Sequence, residues 1–340
     1  MEGAYYNGQY LNRLERLGYS QAEIDNKLES AFEEMFYGPE GVRLCHCAGP
    51  DMMYIEDTGN HDVRTEGMSY AMMFCVQMNR QKEFDCLWRW VVTHMYLTEG
   101  ENAGYFAWSC HTDGSKNSDG PAPDGEEFFA MSLFFAANRW GSGEGVLDYA
   151  SWARRILHAC VHKGEEAGSG FPMWNPENHL IKFIPNCEFT DPSYHLPHFY
   201  ELFALWSDEC DRPFWHAAAA ASRQYLRKAC HARTGLSAEY AEYDGRPHRG
   251  DQPDRHDWFF SDAYRTLGNI ALDAQWFGDK DGWAQETAAH IQQFFEEKEH
   301  GQTNGIYLID GTPVEGNALH PVGLLATIAQ GSLILDDACA

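Results

Sequence analysis

Basic residues are scarce in this chain: its 340 residues hold 25 Lys and Arg against 51 Asp and Glu, a net charge of −26. Nucleic acids and anionic membranes need a basic patch to meet their phosphates, so both are excluded as partners. No apolar run reaches the roughly 18 residues of a membrane span, and no charged-then-apolar leader opens the chain. As written, it is expected to be soluble, cytoplasmic and not exported. No two cysteine pairs sit at zinc-finger spacing; the ten Cys are scattered, with Cys45-His46-Cys47 the one tight cluster. Reduced, mostly buried thiols in a cytoplasm account for them, and no metal or cofactor is expected. "GSGEG" (Gly141–Gly145) lacks the Lys-Ser/Thr ending of a phosphate loop and reads as a helix C-terminal turn. No low-complexity linker divides the chain, so residues 1–340 are read as one domain.

Aromatic residues are plentiful. Eleven Trp and seventeen Tyr exceed what a core needs, and rings with polar tips suit a groove for a flat, hydroxylated ligand such as a sugar. The apolar periodicity is helical at about 20–37, 66–79, 83–97, 125–139, 146–163, 193–207, 212–230, 260–276, 280–297 and 321–335. Ser20 and Glu23 have the spacing of a capping box at the first of these. Longer loops at 100–124, 166–192, 231–258 and 300–320 alternate with short links. That alternation predicts an all-α toroid of inner and outer helices, with the long loops gathered at one end. The helices counted fall short of six full pairs, and the chain ends at "SLILDDACA" just after a helix, so the closing element is expected to be missing. "GIYLIDGTPV" (Gly305–Val314) alternates around Asp310-Gly311 and predicts a hairpin. "GFPMWNPENHLIKFIP" (Gly170–Pro185) is a second candidate for a small sheet.

Four acids stand at the starts of apolar helices: Glu66 in "RTEGMSYAMM", Asp124 in "PAPDGEEFFAMSLFF", Asp191 in "FTDPSYHLPHF" and Asp262 in "WFFSDAYRTLGNI". Inner helices of a toroid run parallel, so these acids would meet at one mouth. Capping is the competing explanation. Asp124 with Glu127 has capping-box spacing, and Asp191 before Pro192 is read as an N-cap. Glu66 is harder to dismiss, because Thr65 is available to cap and Gly67 permits close backbone approach. Asp262 follows Ser261, also a possible cap, and pairs at helical spacing with Arg265 among Trp258, Phe259, Phe260 and Tyr264. Two carboxylates across an aromatic groove, one protonated and one ionised, are the machinery of glycoside hydrolysis. A third acid nearby raises the pKa of the donor.

"RTEGMSYAMM" resembles the general-acid motif of glycoside hydrolase family 8, and "SDAYR" resembles that family's base motif. "DVRTEGMSYAMMFCVQM", "PAPDGEEFFAMSLFFAANRWG" and "DPSYHLPHFYELF" resemble its reducing-end xylose-releasing exo-oligoxylanase branch, in the same order along nearly the whole chain. The resemblance implies an (α/α)6 barrel, an inverting mechanism and xylo-oligosaccharides as partner; the chain is separately expected to be a monomer. It makes Glu66 the general acid, Asp262 the general base and Asp124 a third carboxylate that holds the distorted sugar. Tyr194 and Arg265 match positions that touch that sugar or the water. Trp108 in "YFAWSC" matches an aromatic platform, and Arg64 falls among the substrate-binding residues. "ALHPVG" (Ala318–Gly323) matches a loop that walls off the reducing-end side, with His320 set to bond the anomeric hydroxyl. Pro321 also suits the first position of the last helix. For inversion the Glu66 and Asp262 carboxyls should stand ~6.5–9.5 Å apart. Three other readings remain: an endo-acting xylanase, glucanase or chitosanase of the family, a sugar epimerase or lyase toroid working through His, Tyr or Arg, and an inactive sugar-binding barrel.

Overall fold

Helices form where apolar residues recur at helical spacing. The computed structural model describes residues 2–165, 169–250 and 255–335. Two short turns that the periodicity did not reveal, α1 (Ala4–Asn7) and α2 (Arg13–Arg16), precede α3 (Gln21–Tyr37). The expected capping box opens α3, with Ser20 and Glu23 bonded reciprocally. Then come α4 (Thr65–Gln77), α5 (Gln81–Trp90) with a π-helical extension over Val91–Met95, α6 (Pro123–Trp140), α7 (Tyr149–His162), α8 (Pro197–Trp206), α9 (Arg212–Ala229), α10 (Arg265–Phe277), α11 (Trp283–Glu299) and α12 (Pro321–Gly331).

Alternate helices form the inner layer. α4 packs on α6, α6 on α8, α8 on α10 and α10 on α12, while α5, α7, α9 and α11 each lie against the inner helix before them in the chain. Inner α4, α6 and α8 are buried nearly all round, as α6 is from Pro123 to Leu133, whereas outer α7 buries one stripe of Tyr149, Ala153, Ile156, Leu157 and Cys160. This is the two-layer arrangement of an (α/α)6 barrel. The faces of α3 and α12 are more open: Leu28, Val322 and Leu325 all face solvent.

Short strands pin the loops. β1 (Cys45–Cys47) pairs with β2 (Met53–Ile55), and β3 (Val63–Arg64) with β4 (Ser109–Cys110). β5 (Trp258–Phe259), β6 (Ile306–Leu308) and β7 (Pro313–Val314) make a three-stranded antiparallel sheet. The predicted hairpin is β6–β7. Its turn is made by Gly311 at φ 88°, and Asp310 accepts a bond from the Thr312 N–H. The other candidate sheet, at 170–185, is reduced to one bridge between Trp174 and Ile181.

Three local expectations are corrected. Asp124 does not cap α6: the N-cap is Ala122, Pro123 takes the first helical position, and Glu127 turns away to Tyr200. Thr65 and Ser261 do not cap their helices either, because Arg64 and Phe260 hold those positions. Ser261 instead sits at φ 45°, a left-handed conformation rare outside glycine, directly before Asp262. Asp191 does cap, accepting from Ser193 N–H at 2.7 Å at the head of a 3-10 turn over Pro192–Tyr194. Glycines set the closest inner approaches. A Cβ at Gly67 would lie 3.3 Å from Ile55, and one at Gly125 only 2.5 Å from Thr65 Cβ. Gly125 thus lets α6 press its first turn against the first turn of α4.

Gly125→Ala is expected to force those turns apart and to cost about 1–3 kcal/mol, read as a lower urea midpoint at unchanged slope. An unchanged midpoint would show that the two helix starts separate freely.

Candidate active site

Each site residue is placed by a backbone element. The β3–β4 ladder sets Arg64 opposite Ser109, and the Thr65 N–H, which α4 cannot satisfy itself, donates to the Trp108 carbonyl at 3.0 Å. Glu66 and Trp108 are thereby locked beside each other. Arg64 Nε donates to Asp62 Oδ1 at 3.0 Å and lies 3.3 Å from Asp57, with its guanidinium 5.1 Å from the Trp108 ring centre. Asp62 in turn accepts from the Ser109 hydroxyl at 3.0 Å.

Arg265, the first residue of α10, is the hub. Its Nη1 donates to Asp124 Oδ2 at 2.8 Å and to the Tyr70 hydroxyl at 2.7 Å. Its Nη2 lies 3.1 Å from Asp262 Oδ2, an ion pair without hydrogen-bond alignment, and its guanidinium faces the Tyr194 ring at 5.5 Å. Nε and Nη2 are buried with no hydrogen-bond acceptor, so the guanidinium has bonding capacity to spare for a ligand. Asp124 is buried and also accepts from the Gly125 N–H at 3.0 Å. Glu66 is half-buried and accepts from the Thr65 hydroxyl at 3.3 Å.

Tyr194 is fixed from below. Asn269 of α10 donates to the Ser193 carbonyl at 2.8 Å, and the Tyr200 hydroxyl bonds both the Tyr194 carbonyl and Glu127. His320 is exposed at the N-cap of α12, with Pro321 at the first helical position as expected and no side-chain capping bond. Its ring lies 6.0 Å from Tyr264, two residues from Asp262. The structure therefore brings Glu66, Asp124, Asp262, Arg265 and Tyr194 into one cluster, with Arg64 and Trp108 on one flank and His320 on another. Sequence reasoning missed Tyr70 and the Glu127–Tyr200 pair. Tyr70 was findable, since it lies one helical turn beyond Glu66 on the same face; the Glu127–Tyr200 contact joins two helices and leaves no local trace.

Burial, reinforced by the charge of Asp124, pushes the Glu66 carboxyl up to about 7, against the pull of Arg265. Burial also raises Asp124, which Arg265 opposes through both charge and hydrogen bond. The site thus offers a carboxyl that holds its proton near neutrality and, one ion pair away, the solvent-reached Asp262. Glycoside hydrolysis uses a proton-holding acid and a second carboxylate of this kind.

The sequence profile of glycosyl hydrolases family 8 matches residues 20–330. The chain belongs to this family. It is 55% identical over 333 residues to a reducing end xylose-releasing exo-oligoxylanase of Halalkalibacterium halodurans, covering 98% of this chain and 84% of that protein. A second such enzyme, from Paenibacillus barcinonensis, is 55% identical over 339 residues, covering 98% and 87%. A solved structure of the latter complexed with xylose superposes with a TM-score of 0.96 at 54% identity, covering 100% of this chain and 89% of that one. More distant is endoglucanase A of Acetivibrio thermocellus, 25% identical over 344 residues and 97% of this chain. Family 8 enzymes are glycoside hydrolases, and so is this one. Among the described residues no helix is long and apolar enough to cross a membrane.

The raised Glu66 pKa has a signed consequence. The folded state binds this proton more tightly than the unfolded chain, so its stabilising effect is present below the usual 4.5 and is lost as pH rises to about 7. Glu66→Gln is neutral at every pH, so its melting temperature should gain on that of the parent between pH 4.5 and 8. A constant difference across that range would mean that Glu66 titrates normally.

Proposed function

We propose that this family 8 hydrolase releases xylose from the reducing end of xylo-oligosaccharides of three or more units, with inversion. Glu66 protonates the glycosidic oxygen and Asp262 takes the proton of a water on the opposite face of the sugar. Asp124 and Arg265 hold the distorted sugar between them, and Tyr194 contacts it. Trp108, steadied by Arg64, stacks against a neighbouring sugar. His320 bonds the anomeric hydroxyl of the released unit. The same reading has the enzyme acting as a monomeric, single-domain protein in the cytoplasm, in keeping with the free thiols of its described cysteines.

The observation that carries the exo reading is the Leu319–His320–Pro321 loop. It leads into α12 beside Tyr264, next to Asp262, where a longer chain would have to leave the cleft. Two relatives named as reducing-end xylose-releasing enzymes at 55% identity support the same reading.

Xylotriose labelled at its reducing end is expected to give labelled xylose and unlabelled xylobiose. Labelled xylobiose would overturn the direction of attack, and a ladder of products from xylan would favour an endo mode. Glu66→Gln should lower the xylotriose rate by ~10²-fold or more, yet retain hydrolysis of a xylosyl fluoride, whose leaving group needs no proton. Equal losses on both substrates would place the acid elsewhere. In the parent enzyme kcat/KM should fall as pH rises through about 7, where Glu66 loses its proton.

A further inference from the structure

Away from the cleft, on the outer layer, α7 presents His158 and His162 one turn apart, with ring centres 4.4 Å apart. Both face Asp211, which lies in the connection between α8 and α9. His162 Nε2 lies 2.7 Å from Asp211 Oδ1, and His158 Nδ1 lies 3.7 Å from Asp211 Oδ2. Asp211 is buried, with a side chain 2% exposed, while His158 is 57% exposed and leaves one side open to solvent. The Cys210 thiol also donates to Asp211 Oδ1. Among the described residues no Lys or Arg pairs with Asp211. Nearby Arg154 faces Asp208, and the Lys163 ammonium is bonded to the Ala103 carbonyl.

His162 has a carboxylate on each ring nitrogen, since its Nδ1 lies 2.6 Å from Glu165 Oε1. A neutral imidazole carries one N–H, so one of these contacts would set a lone pair against a carboxylate. A doubly protonated ring, a protonated carboxyl or a cation between Nε2 and Asp211 each resolves that conflict. Burial works against the charged ring, but the bonds to Asp211 and Glu165 outweigh it and raise the His162 pKa. The cation-bound state has the parts of a metal centre. The three ligand atoms lie within 4.8 Å of one another. Ligands on a tetrahedral ion with bonds of about 2.0–2.1 Å stand roughly 3.3 Å apart, so the 3.7 Å contact has to close a little and the 2.7 Å contact to open. Glu165 then accepts from Nδ1–H, the outer carboxylate that orients a metal-bound imidazole.

We propose that His158, His162 and Asp211 form a site for a divalent transition-metal ion of the zinc class, with water completing the shell and Glu165 orienting His162. Two imidazoles exclude the oxygen-preferring Mg2+ and Ca2+. The site lies outside the cleft, so it acts on stability. It ties α7 to the α8–α9 connection and stabilises only the folded chain, where the three ligands are together.

The test is calorimetric titration of the chelator-treated full chain with ZnCl2, together with melting curves. The parent should bind one Zn2+ and melt higher with it. His158→Ala and the His158→Ala/His162→Ala double variant should lose that binding and that shift, while xylotriose hydrolysis in the absence of metal stays unchanged. Glu165→Gln should bind roughly tenfold more weakly or worse. His46→Ala, in the separate Cys45–Cys47 strand, should bind as the parent does. The proposal fails if the parent binds no Zn2+, or if the double variant binds it with unchanged stoichiometry and affinity. Because His158 is exposed on an outer helix, its single variant folds and keeps the test decisive.

Discussion

A single buried guanidinium holds the starts of α4, α6 and α10 together. Arg265 bonds Asp124 and Tyr70, pairs with Asp262 and faces Tyr194. Without it, Asp124 would be a buried acid lacking a cationic partner, a loss worth about 3–5 kcal/mol in comparable pairs. Its asymmetry also divides the roles. It hydrogen-bonds Asp124 and forms an ion pair with Asp262 but reaches Glu66 only through space, so Glu66 is the acid left to keep a proton. The helix N-termini favour carboxylates too, but by ~0.3–1 kcal/mol, less than one pKa unit of about 1.4 kcal/mol. Burial can move a carboxyl by several units, and at Glu66 it wins.

Behind these groups lies a second layer of buried acids. Glu126 accepts from the Phe106 N–H at 2.9 Å, fixing the loop that carries Trp108, and Glu127 with Tyr200 fixes the backbone of Tyr194. Burial raises both carboxyls well above their usual range. A hydrogen-bonded acid whose burial favours its neutral form positions a loop while adding less charge to a mouth already rich in it. The close contact at Gly125 serves the same end, because it lets Asp124 approach the start of α4.

How far the sequence could be read depended on the range of the interaction. The helices carrying the site were legible because apolar spacing is local, and each inner helix fell within a few residues of its predicted range. Glu66, Asp124, Asp262, Arg265 and Tyr194 were singled out through motifs contiguous in the chain, and the fold brings them into one cluster. The capping assignments at Asp124, Thr65 and Ser261 failed because spacing shows which side chains can reach a helix end, whereas packing decides which backbone residue starts it. At Asp124 the pull of Arg265, 141 residues away, competes with capping and prevails.

The residue order by itself determined an all-helical chain of paired elements, the acids at the helix starts and the membership of family 8. Each rests on neighbours within a turn or two, or on contiguous motifs. Only the tertiary structure decided that one arginine would serve two of those acids, that Tyr70 would join them, and that Glu66 would hold its proton to about 7. It alone also set His158 and His162 against Asp211. These are properties of burial and of distance between helices, and no stretch of sequence contains them.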